Sequence, residues 1–172
     1  LNMRHAVLAA EDRKFYSESA ISPTGIARAI LNNLGGGSLQ GGSTITQQYA
    51  KTAFLTQDRT ISRKIKEIVI AIKLGNQLTK DQILENYLNT IYFGRGSYGI
   101  ETASQQYFNK SARQLNLAQS AVIASVLRSP GYYDPQYGKE NLARLKARFQ
   151  YVLDGMVKSG WITKAEAKAT KF

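Results

Sequence analysis

The 172-residue sequence has no cysteine, one histidine and no run of about 20 apolar residues. Without cysteine it forms neither disulfides nor thiolate metal sites, so folding must depend on a buried core, for which the chain is long enough. Because His5 is the single imidazole, a histidine-rich metal site and serine–histidine catalysis are poor hypotheses, and we interpret His5 as structural. The missing apolar run predicts that this chain does not itself span a bilayer.

Acidic residues are also scarce, with 12 Asp and Glu against 23 Lys and Arg, which gives a formal net charge of +11. Such an excess of positive charge predicts a polyanionic partner. Nucleic acid, an anionic membrane surface and a phosphate-bearing substrate all fit this charge, so composition alone leaves three classes of partner.

Period-two alternation of apolar residues is missing too, whereas apolar residues recur at helical spacing along most of the chain. This pattern predicts an all-α fold, and the lack of an internal repeat or linker predicts one domain over residues 1–172. Segment 115–127 is predicted to form a buried helix. Segment 93–99 is predicted to be a glycine-rich loop, and 128–135 an extended or turning segment.

Local signals mark where several helices begin and end. Three pairs of residues have the spacing of a capping box, in which two side chains bind backbone N–H groups at a helix start. They are Thr44 with Gln47, Thr79 with Gln82, and Thr163 with Glu166. Another helix is predicted to end at Gly75 and to bury one isoleucine stripe. The stripe consists of Ile61, Ile65, Ile68 and Ile72.

The stretch "GGSTITQQYAKTAF", residues 41–54, contains more polar groups than a helix start needs. Gln48 and Lys51 are one turn apart beside a glycine-preceded helix N-terminus, a place that receives oxyanions. Arg59 adds a further cation. The sequence predicts either an anion-binding patch or an ordinary capped helix with polar side chains.

Two groups of charged residues have unusual positions. Glu11 and Asp12 form an acidic pair where the first helical pattern ends, although carboxylates favour helix starts. They are either solvated or held by contacts from elsewhere in the chain. Glu67 follows Arg63 and Lys64 by four and three residues, so two cations share a face with one carboxylate, which should stay ionised. A surface ion-pair ladder is the simpler explanation of this second group.

Five motifs, in this order, resemble the peptidoglycan glycosyltransferase domain, the transglycosylase of class A penicillin-binding proteins and their monofunctional relatives. The motifs are Glu11-Asp12 with Phe15; Gly42 to Gln48 with Lys51; Arg63 to Glu67; Ile83 to Asn89 through Gly94; and Arg128 to Pro135. The resemblance extends from about His5 to the C-terminus. The family's first motif usually continues to a histidine and a glycine, where this sequence has Glu18 and Ala20.

The resemblance implies a lysozyme-like helical fold with a smaller membrane-associated jaw subdomain. It also implies an inverting glycosyltransferase that polymerises lipid II into linear β-1,4-linked glycan strands and releases undecaprenyl pyrophosphate. Glu11 is then the general base, and Glu67 organises the cations or a divalent ion, Mg²⁺ or Mn²⁺, with no organic cofactor. The substrate-binding residues that the resemblance implies are Asp12, Ser43, Thr44, Gln47, Gln48, Lys51, Arg59, Arg63, Lys64, Asn89 and Arg128.

Partners and location follow from the same resemblance. The implied partners are lipid II, the growing glycan strand, the bacterial cytoplasmic membrane and other cell-wall synthesis proteins, with no nucleic acid. The implied location is the outer face of that membrane, with an anchoring segment missing from this chain. Segment 152–169 resembles the helical segment that leads to a transpeptidase domain in bifunctional members, which predicts that one follows. Apolar residues within 15–39, among them Leu31 and Leu39, predict a surface that inserts shallowly into a membrane.

Three other functions stay open. A lysozyme-like muramidase would share the fold and a catalytic glutamate but would not need the cation cluster. A basic helical nucleic-acid module fits the net charge, yet base-stacking and groove-reading motifs are absent from the sequence. A membrane scaffold without activity would have no need of both Glu11 and Glu67. Shortening of polymeric glycan would favour the first, and salt-dependent duplex binding without lipid II turnover the second.

Overall fold

The structure, a computed structural model, describes residues 1–17, 43–55 and 60–172. Within these ranges the chain is helical, with no strand beyond a single bridge between Tyr92 and Tyr98, so the predicted all-α class is confirmed. The α-helices of the described residues, numbered α1 to α9 in chain order, are Asn2–Glu11, Ile45–Phe54, Ile61–Gln77, Lys80–Thr90, Ile100–Phe108, Leu117–Leu127, Pro130–Tyr133, Lys139–Lys158 and Lys164–Ala169. Two 3₁₀ turns are Ala112–Gln114 and Pro135–Tyr137.

The chain divides into two compact units. The first consists of Leu1–Arg13 and Leu88–Phe172, and the second is Lys14–Tyr87. Helix α4 begins in the second unit and ends in the first. The single domain over 1–172 stays a prediction beside this division.

The core of the first unit lies where α1, α6 and α8 pack on one another. Helix α6 is buried on almost every side, which confirms the buried helix predicted at 115–127. Its alanines and serines let neighbouring helices approach closely, and the Ser125 hydroxyl donates to Ala121 O at 2.7 Å, so this buried polar group has a partner. Fully buried apolar side chains in this core include Ala6, Val7, Leu8, Ile123, Val126, Val152, Leu153 and Met156.

The second unit contains the packed pair α2 and α3, whose contact centres on Ala50 and Ala71. The predicted isoleucine stripe is wrong as a continuous buried face, because Ile68 is buried but Ile61 is 69% exposed and Ile65 is 48% exposed. The two alanines allow a close approach of α3 to α2, and this contact leaves Ile61 and Ile65 exposed. The buried residues of α3 are Glu67, Ile68, Ala71 and Leu74.

The helix starts were predicted better than one of the helix ends. Capping contacts form at all three predicted pairs, at Thr44, Thr79 and Thr163. The predicted end at Gly75 is wrong, since α3 continues to Gln77 and the Leu78 N–H donates to Leu74 O at 2.8 Å. Leu74 and Leu78 both pack in the apolar cluster with α2, and this packing outweighs the helix penalty of about 1 kcal/mol for glycine.

Segment 128–135 turns, as predicted, but it is helical rather than extended. Pro130 begins the short helix α7 and Pro135 begins the following 3₁₀ turn. Proline suits both places because the first position of a helix has no use for an N–H. The loop predicted at 93–99 is confirmed, and three of its glycines have positive φ, from 70° to 91°.

Some predictions fall outside the described residues. Arg59, Glu18 and Ala20 belong to this group, as does the 15–39 membrane segment after Ser17. Of that segment, Phe15 is 2% exposed and Tyr16 is 51% exposed.

Candidate active site

The first candidate group is built around Glu11, the last residue of α1. Arg148 of α8 donates from Nη2 to Ala10 O at 2.8 Å and to Glu11 Oε1 at 3.3 Å. Both side chains are largely buried, 9% exposed for Arg148 and 13% for Glu11. Of the two alternatives left open for the acidic pair, Glu11 is therefore held by a contact from elsewhere in the chain.

The position of Glu11 at a helix end explains why a cation is needed there. The C-terminal end of a helix carries unpaired carbonyls and a partial negative charge, which disfavour a neighbouring carboxylate. Arg148 offsets both, because it donates to a carbonyl and faces the carboxylate. Asp12 follows with a non-helical backbone, φ −157° and ψ 79°, and its N–H donates to Leu8 O at 2.9 Å, the last such bond of the helix.

Sequence analysis missed Arg148, although the sequence contains a signal for it. Along α8, Leu145, Val152 and Met156 are buried at helical spacing, and Arg148 occupies the place between them where an apolar residue belongs. A cation on the apolar face of a helix must meet a partner in the core. That partner lies 137 residues away in sequence, and no local pattern identifies it.

The second candidate group joins the start of α2 to the middle of α3. The Lys64 ammonium donates to Glu67 Oε1 at 2.5 Å and to Ser43 Oγ at 2.9 Å. Glu67 is 2% exposed and Lys64 is 32% exposed. The explanation of a surface ion-pair ladder fails for this pair because its carboxylate is buried.

Other polar residues of the 41–54 stretch organise the helix start. Thr44 and Gln47 form the capping box, with both contacts at 3.3 Å. Gln48 donates from Nε2 to Ser43 O at 3.0 Å and accepts from the Tyr87 hydroxyl at 2.9 Å. These contacts fix the backbone beside Ser43, and substrate contacts by Thr44, Gln47 and Gln48 stay predictions.

Two further cations, Lys51 and Arg63, lie near these groups in sequence and, within the described ranges, make fewer side-chain hydrogen bonds than Lys64 does. Lys51 is half-buried near the end of α2. Arg63 is half-buried on α3, and its Nε is buried without a hydrogen-bond partner. An unpartnered guanidinium N–H is an available donor for an oxyanion.

Asn89 and Arg128 belong to the first unit and are both exposed. Asn89 lies on α4, where its backbone carbonyl faces Gly99 so closely that a Cβ on that glycine would be 2.7 Å from the oxygen. Arg128 caps the end of α6. Their role in substrate binding stays a prediction.

A third group, around the buried Asp134, is a structural one. Arg95 donates to both carboxylate oxygens, at 2.7 and 2.8 Å, and the Tyr107 hydroxyl lies 3.3 Å from Oδ2. Burial acts to raise the pKa of Asp134, but the hydrogen bonds from Arg95, Gln136 N–H and Tyr107 outweigh it and hold the pKa below its usual value. Burial also raises the pKa of Tyr107. The group fastens the glycine-rich loop to segment 130–137.

Glu67 does not form a resident metal site with the described residues. Its Oε1 already accepts from an ammonium group, and no cluster of three or more acidic, histidine or cysteine side chains occurs in the described ranges. A single carboxylate beside a lysine is a poor donor set for Mg²⁺ or Mn²⁺, which need several oxygen ligands. We therefore assign no step of chemistry to a metal held by the protein.

The family model described as Transglycosylase matches residues 1–157. The chain belongs to the transglycosylase family. It is 48% identical to Penicillin-binding protein 1A of Mycolicibacterium smegmatis, across 100% of this chain and 22% of that protein. It is 47% identical to Penicillin-binding protein 1A of Mycobacterium tuberculosis, across 100% and 21%. It is 43% identical to Penicillin-binding protein 1F of Bacillus subtilis, across 96% and 23%.

A crystal structure of Penicillin-binding protein 1A from Haemophilus influenzae aligns with 73% of this transglycosylase chain and 15% of that chain, at 28% identity and a TM-score of 0.45. The transglycosylase chain spans about a fifth of the length of the curated relatives named above. The resemblance inferred from the motifs is confirmed, and with it the glycosyltransferase class. Among the helices described, none is both long and apolar enough to cross a membrane.

Proposed function

We propose that this transglycosylase domain polymerises lipid II into β-1,4-linked glycan and releases undecaprenyl pyrophosphate. The observation that carries the proposal is the buried Glu67, bound by Lys64, which in turn binds Ser43 at the start of α2. A muramidase has no use for such a cation at a helix start, whereas a pyrophosphate leaving group requires one. The family match over residues 1–157 supports the same choice.

Glu11 acts as the general base in this proposal. The 4-hydroxyl of the acceptor sugar attacks the anomeric carbon of the donor sugar, and Glu11 takes the hydroxyl proton as the new bond forms. The bond from the anomeric carbon to the pyrophosphate oxygen breaks, and the electron pair leaves with the pyrophosphate. Displacement in one step inverts an α-linked donor to a β-linked product. Arg148 supports this role because it stabilises the ionised form of Glu11.

The leaving group is stabilised by the second group of residues. Lys64, Arg63 and Lys51 supply positive charge, and Ser43 lies where the N–H groups at the start of α2 point outward. The buried Arg63 Nε without a partner supports oxyanion binding, since a pyrophosphate oxygen would satisfy it. Arg59, outside the described residues, is expected to add a further cation.

Glu67 is an organiser rather than a second base. Its carboxylate is buried and bound by the Lys64 ammonium, so proton transfer to it would break an ion pair without solvent to compensate. Its role is to hold Lys64 at the distance from Ser43 that the structure shows. Loss of Glu67 should then weaken binding of the pyrophosphate through Lys64.

The substrate places the protein at a membrane. Lipid II carries a polyprenyl chain, so the domain works at the outer face of the bacterial cytoplasmic membrane. The net charge of +11 favours both an anionic bilayer surface and the pyrophosphate. Other cell-wall synthesis proteins are proposed partners there.

The test is incubation of the protein with fluorescent lipid II in detergent micelles, followed by separation on a gel. The expected result is a ladder of glycan strands that the Glu11→Gln variant does not form. A protein that leaves lipid II unchanged but shortens preformed glycan is a muramidase, and that result refutes the proposal. Salt-dependent binding of duplex DNA with no turnover of lipid II refutes it in favour of the binding module.

A further inference from the structure

Arg148 connects the catalytic end of α1 to the longest helix of the first unit. One of its nitrogens contacts both the Ala10 carbonyl, at 2.8 Å, and the Glu11 carboxylate, at 3.3 Å. Because one nitrogen contacts both the backbone oxygen of the helix end and the carboxylate, the position of the carboxylate is tied to that of the helix. A lysine ammonium could supply the charge but not the planar, rigid geometry of the guanidinium.

The guanidinium of Arg148 is itself held in place by neighbouring side chains. It packs on the ring of Tyr151, 4.6 Å from the centroid, and Arg13 packs on the same ring at the same distance. Arg13 also donates from Nε to Ala9 O at 3.0 Å. Its guanidinium lies against Gly155, where a Cβ would be 2.9 Å from Arg13 Nη2, so a larger residue at 155 would displace the guanidinium.

Charged groups of the first unit that bear on Glu11 include its neighbours in sequence and a side chain of a packed helix. Helices α6 and α8 pack against α1. Helix α6 has no titratable side chain, and Arg148 is the charged group of α8 that contacts Glu11. Asp12 and Arg13 follow Glu11 directly in sequence. The partial negative charge of the helix end and Asp12 disfavour the ionised carboxylate, and Arg148 acts against both.

We propose that Arg148 is a positioning residue for Glu11, which it keeps oriented and ionised so that the carboxylate can accept the proton of the attacking hydroxyl. The inference rests on the proposed function, in which Glu11 is the general base. Tyr151 and Arg13 have the supporting role of fixing the guanidinium. Arg148 is not assigned any contact with substrate, so its removal should change turnover rather than affinity.

The experiment compares three variants in the glycan-forming assay: Arg148→Met, Arg148→Lys and the matched control Arg144→Met. Arg144 lies one turn earlier on α8 and also packs on a tyrosine, Tyr132, at 4.2 Å, but it pairs with Glu140 at the surface. Arg148→Met should lower kcat roughly 10²-fold, the effect of a misplaced reacting group, while KM for lipid II stays within about twofold. Arg144→Met should keep both constants.

The pH profile separates positioning from a general loss of structure. Since a base must be deprotonated, loss of the cation should move the acidic limb of the kcat profile to higher pH in Arg148→Met. Arg148→Lys keeps the charge, so its limb should stay close to that of the wild type while kcat is about tenfold lower. A variant that loses thermal stability but keeps the acidic limb and per-molecule kcat refutes the proposal. Where Arg148→Met does not fold, a folded Arg148→Lys with wild-type kcat refutes it.

A readout without substrate keeps the two proposals distinguishable. Titration of the ¹³C-labelled Glu11 carboxyl by NMR should show a higher midpoint in Arg148→Met than in the wild type and in Arg144→Met. An unchanged midpoint refutes the role of Arg148 whatever the activity is. A wild-type protein that makes no glycan although this midpoint rises in Arg148→Met refutes the proposed function and leaves the local electrostatics confirmed.

Discussion

The Glu11 group of the first unit and the Glu67 group of the second unit differ in where the cation beside the carboxylate comes from. Each holds a carboxylate beside a cation away from water, with Glu11 13% exposed and Glu67 2% exposed. For Glu67 the cation is a lysine three residues earlier on the same helix. For Glu11 it is an arginine from another helix, 137 residues later.

This difference agrees with the roles proposed above, a proton acceptor for Glu11 and an organiser of charge for Glu67. The Glu11 side chain is 13% exposed and its contact with Arg148 is 3.3 Å long, so the carboxylate is paired with a cation and still partly accessible. Glu67 is fully enclosed and tightly bound to a lysine that also contacts Ser43. A carboxylate in the first setting can take a proton from a ligand, whereas one in the second setting fixes the position of a cation.

The largest expected effect comes from Glu11→Gln, which removes the proton acceptor at nearly constant shape. Loss of a general base costs about 10²–10⁴-fold in rate, and glycan formation should fall by that factor. The melting temperature should stay near that of the wild type, because an amide oxygen can still accept from Arg148. Glu140→Gln, at a glutamate whose side chain is 83% exposed, is the control. If Glu11→Gln keeps more than about a tenth of wild-type activity, the assignment is wrong and the general base is Asp12 or Glu18. The activity of Glu18→Gln then decides between these two.

The second effect concerns the leaving group and Lys51. We expect Lys51→Met to lower turnover of lipid II about 10²-fold, since the developing pyrophosphate loses a charged partner. The folding cost should be small because the side chain is only half-buried. Lys73→Met removes the same charge from the exposed surface of α3 and is the control. Turnover of Lys51→Met at the wild-type rate would show that the 41–54 stretch is an ordinary capped helix.

The third effect is on stability and tests whether the Glu67 carboxylate depends on its buried cation. Lys64→Met leaves the Glu67 carboxylate buried without its donor, which should reduce the free energy of unfolding by about 1–3 kcal/mol. The double variant Lys64→Met with Glu67→Leu should recover much of this loss, because no charge then stays buried. Chemical denaturation measures all three proteins. Glu140→Gln breaks the exposed pair with Arg144 and should cost at most about 1 kcal/mol. An equal cost for Lys64→Met would mean that its ion pair is a surface one.

What could be predicted from sequence follows the same division between local and distant contacts. The capping pairs at Thr44, Thr79 and Thr163 and the pairing of Lys64 with Glu67 are contacts within one helical turn, and sequence spacing is sufficient to find them. Arg148 was missed because its partners lie on another helix.

Tertiary packing also explains the two errors in α3. Ile61 and Ile65 form an apolar stripe as regular as a buried one, but the small Ala71 decides which side of α3 meets α2. Gly75 is a helix-ending residue by local preference, yet Leu74 and Leu78 hold the last turn in place through the same contact. Neither outcome is encoded in a single segment, since each depends on what the neighbouring helix presents.

The smallest expected effect concerns His5, which lies on α1 with Glu11. The imidazole stacks on Trp161 with 4.8 Å between ring centroids, which agrees with a structural role. Burial lowers the pKa of His5 from its usual value of 6.5, and nearby positive charge, including Arg4, adds to this. The unfolded chain therefore binds a proton more readily than the folded chain. The contribution of neutral His5 to stability is complete above the unfolded pKa of about 6.5 and is lost as the pH falls from there through the lower pKa of the folded protein. We expect the melting temperature of the wild type to decrease by a few degrees at most between pH 7.5 and pH 5 on this account, and His5→Phe, which keeps the stack without a titratable group, to decrease less. Equal decreases in the two proteins would show that the protonation of His5 is not coupled to folding.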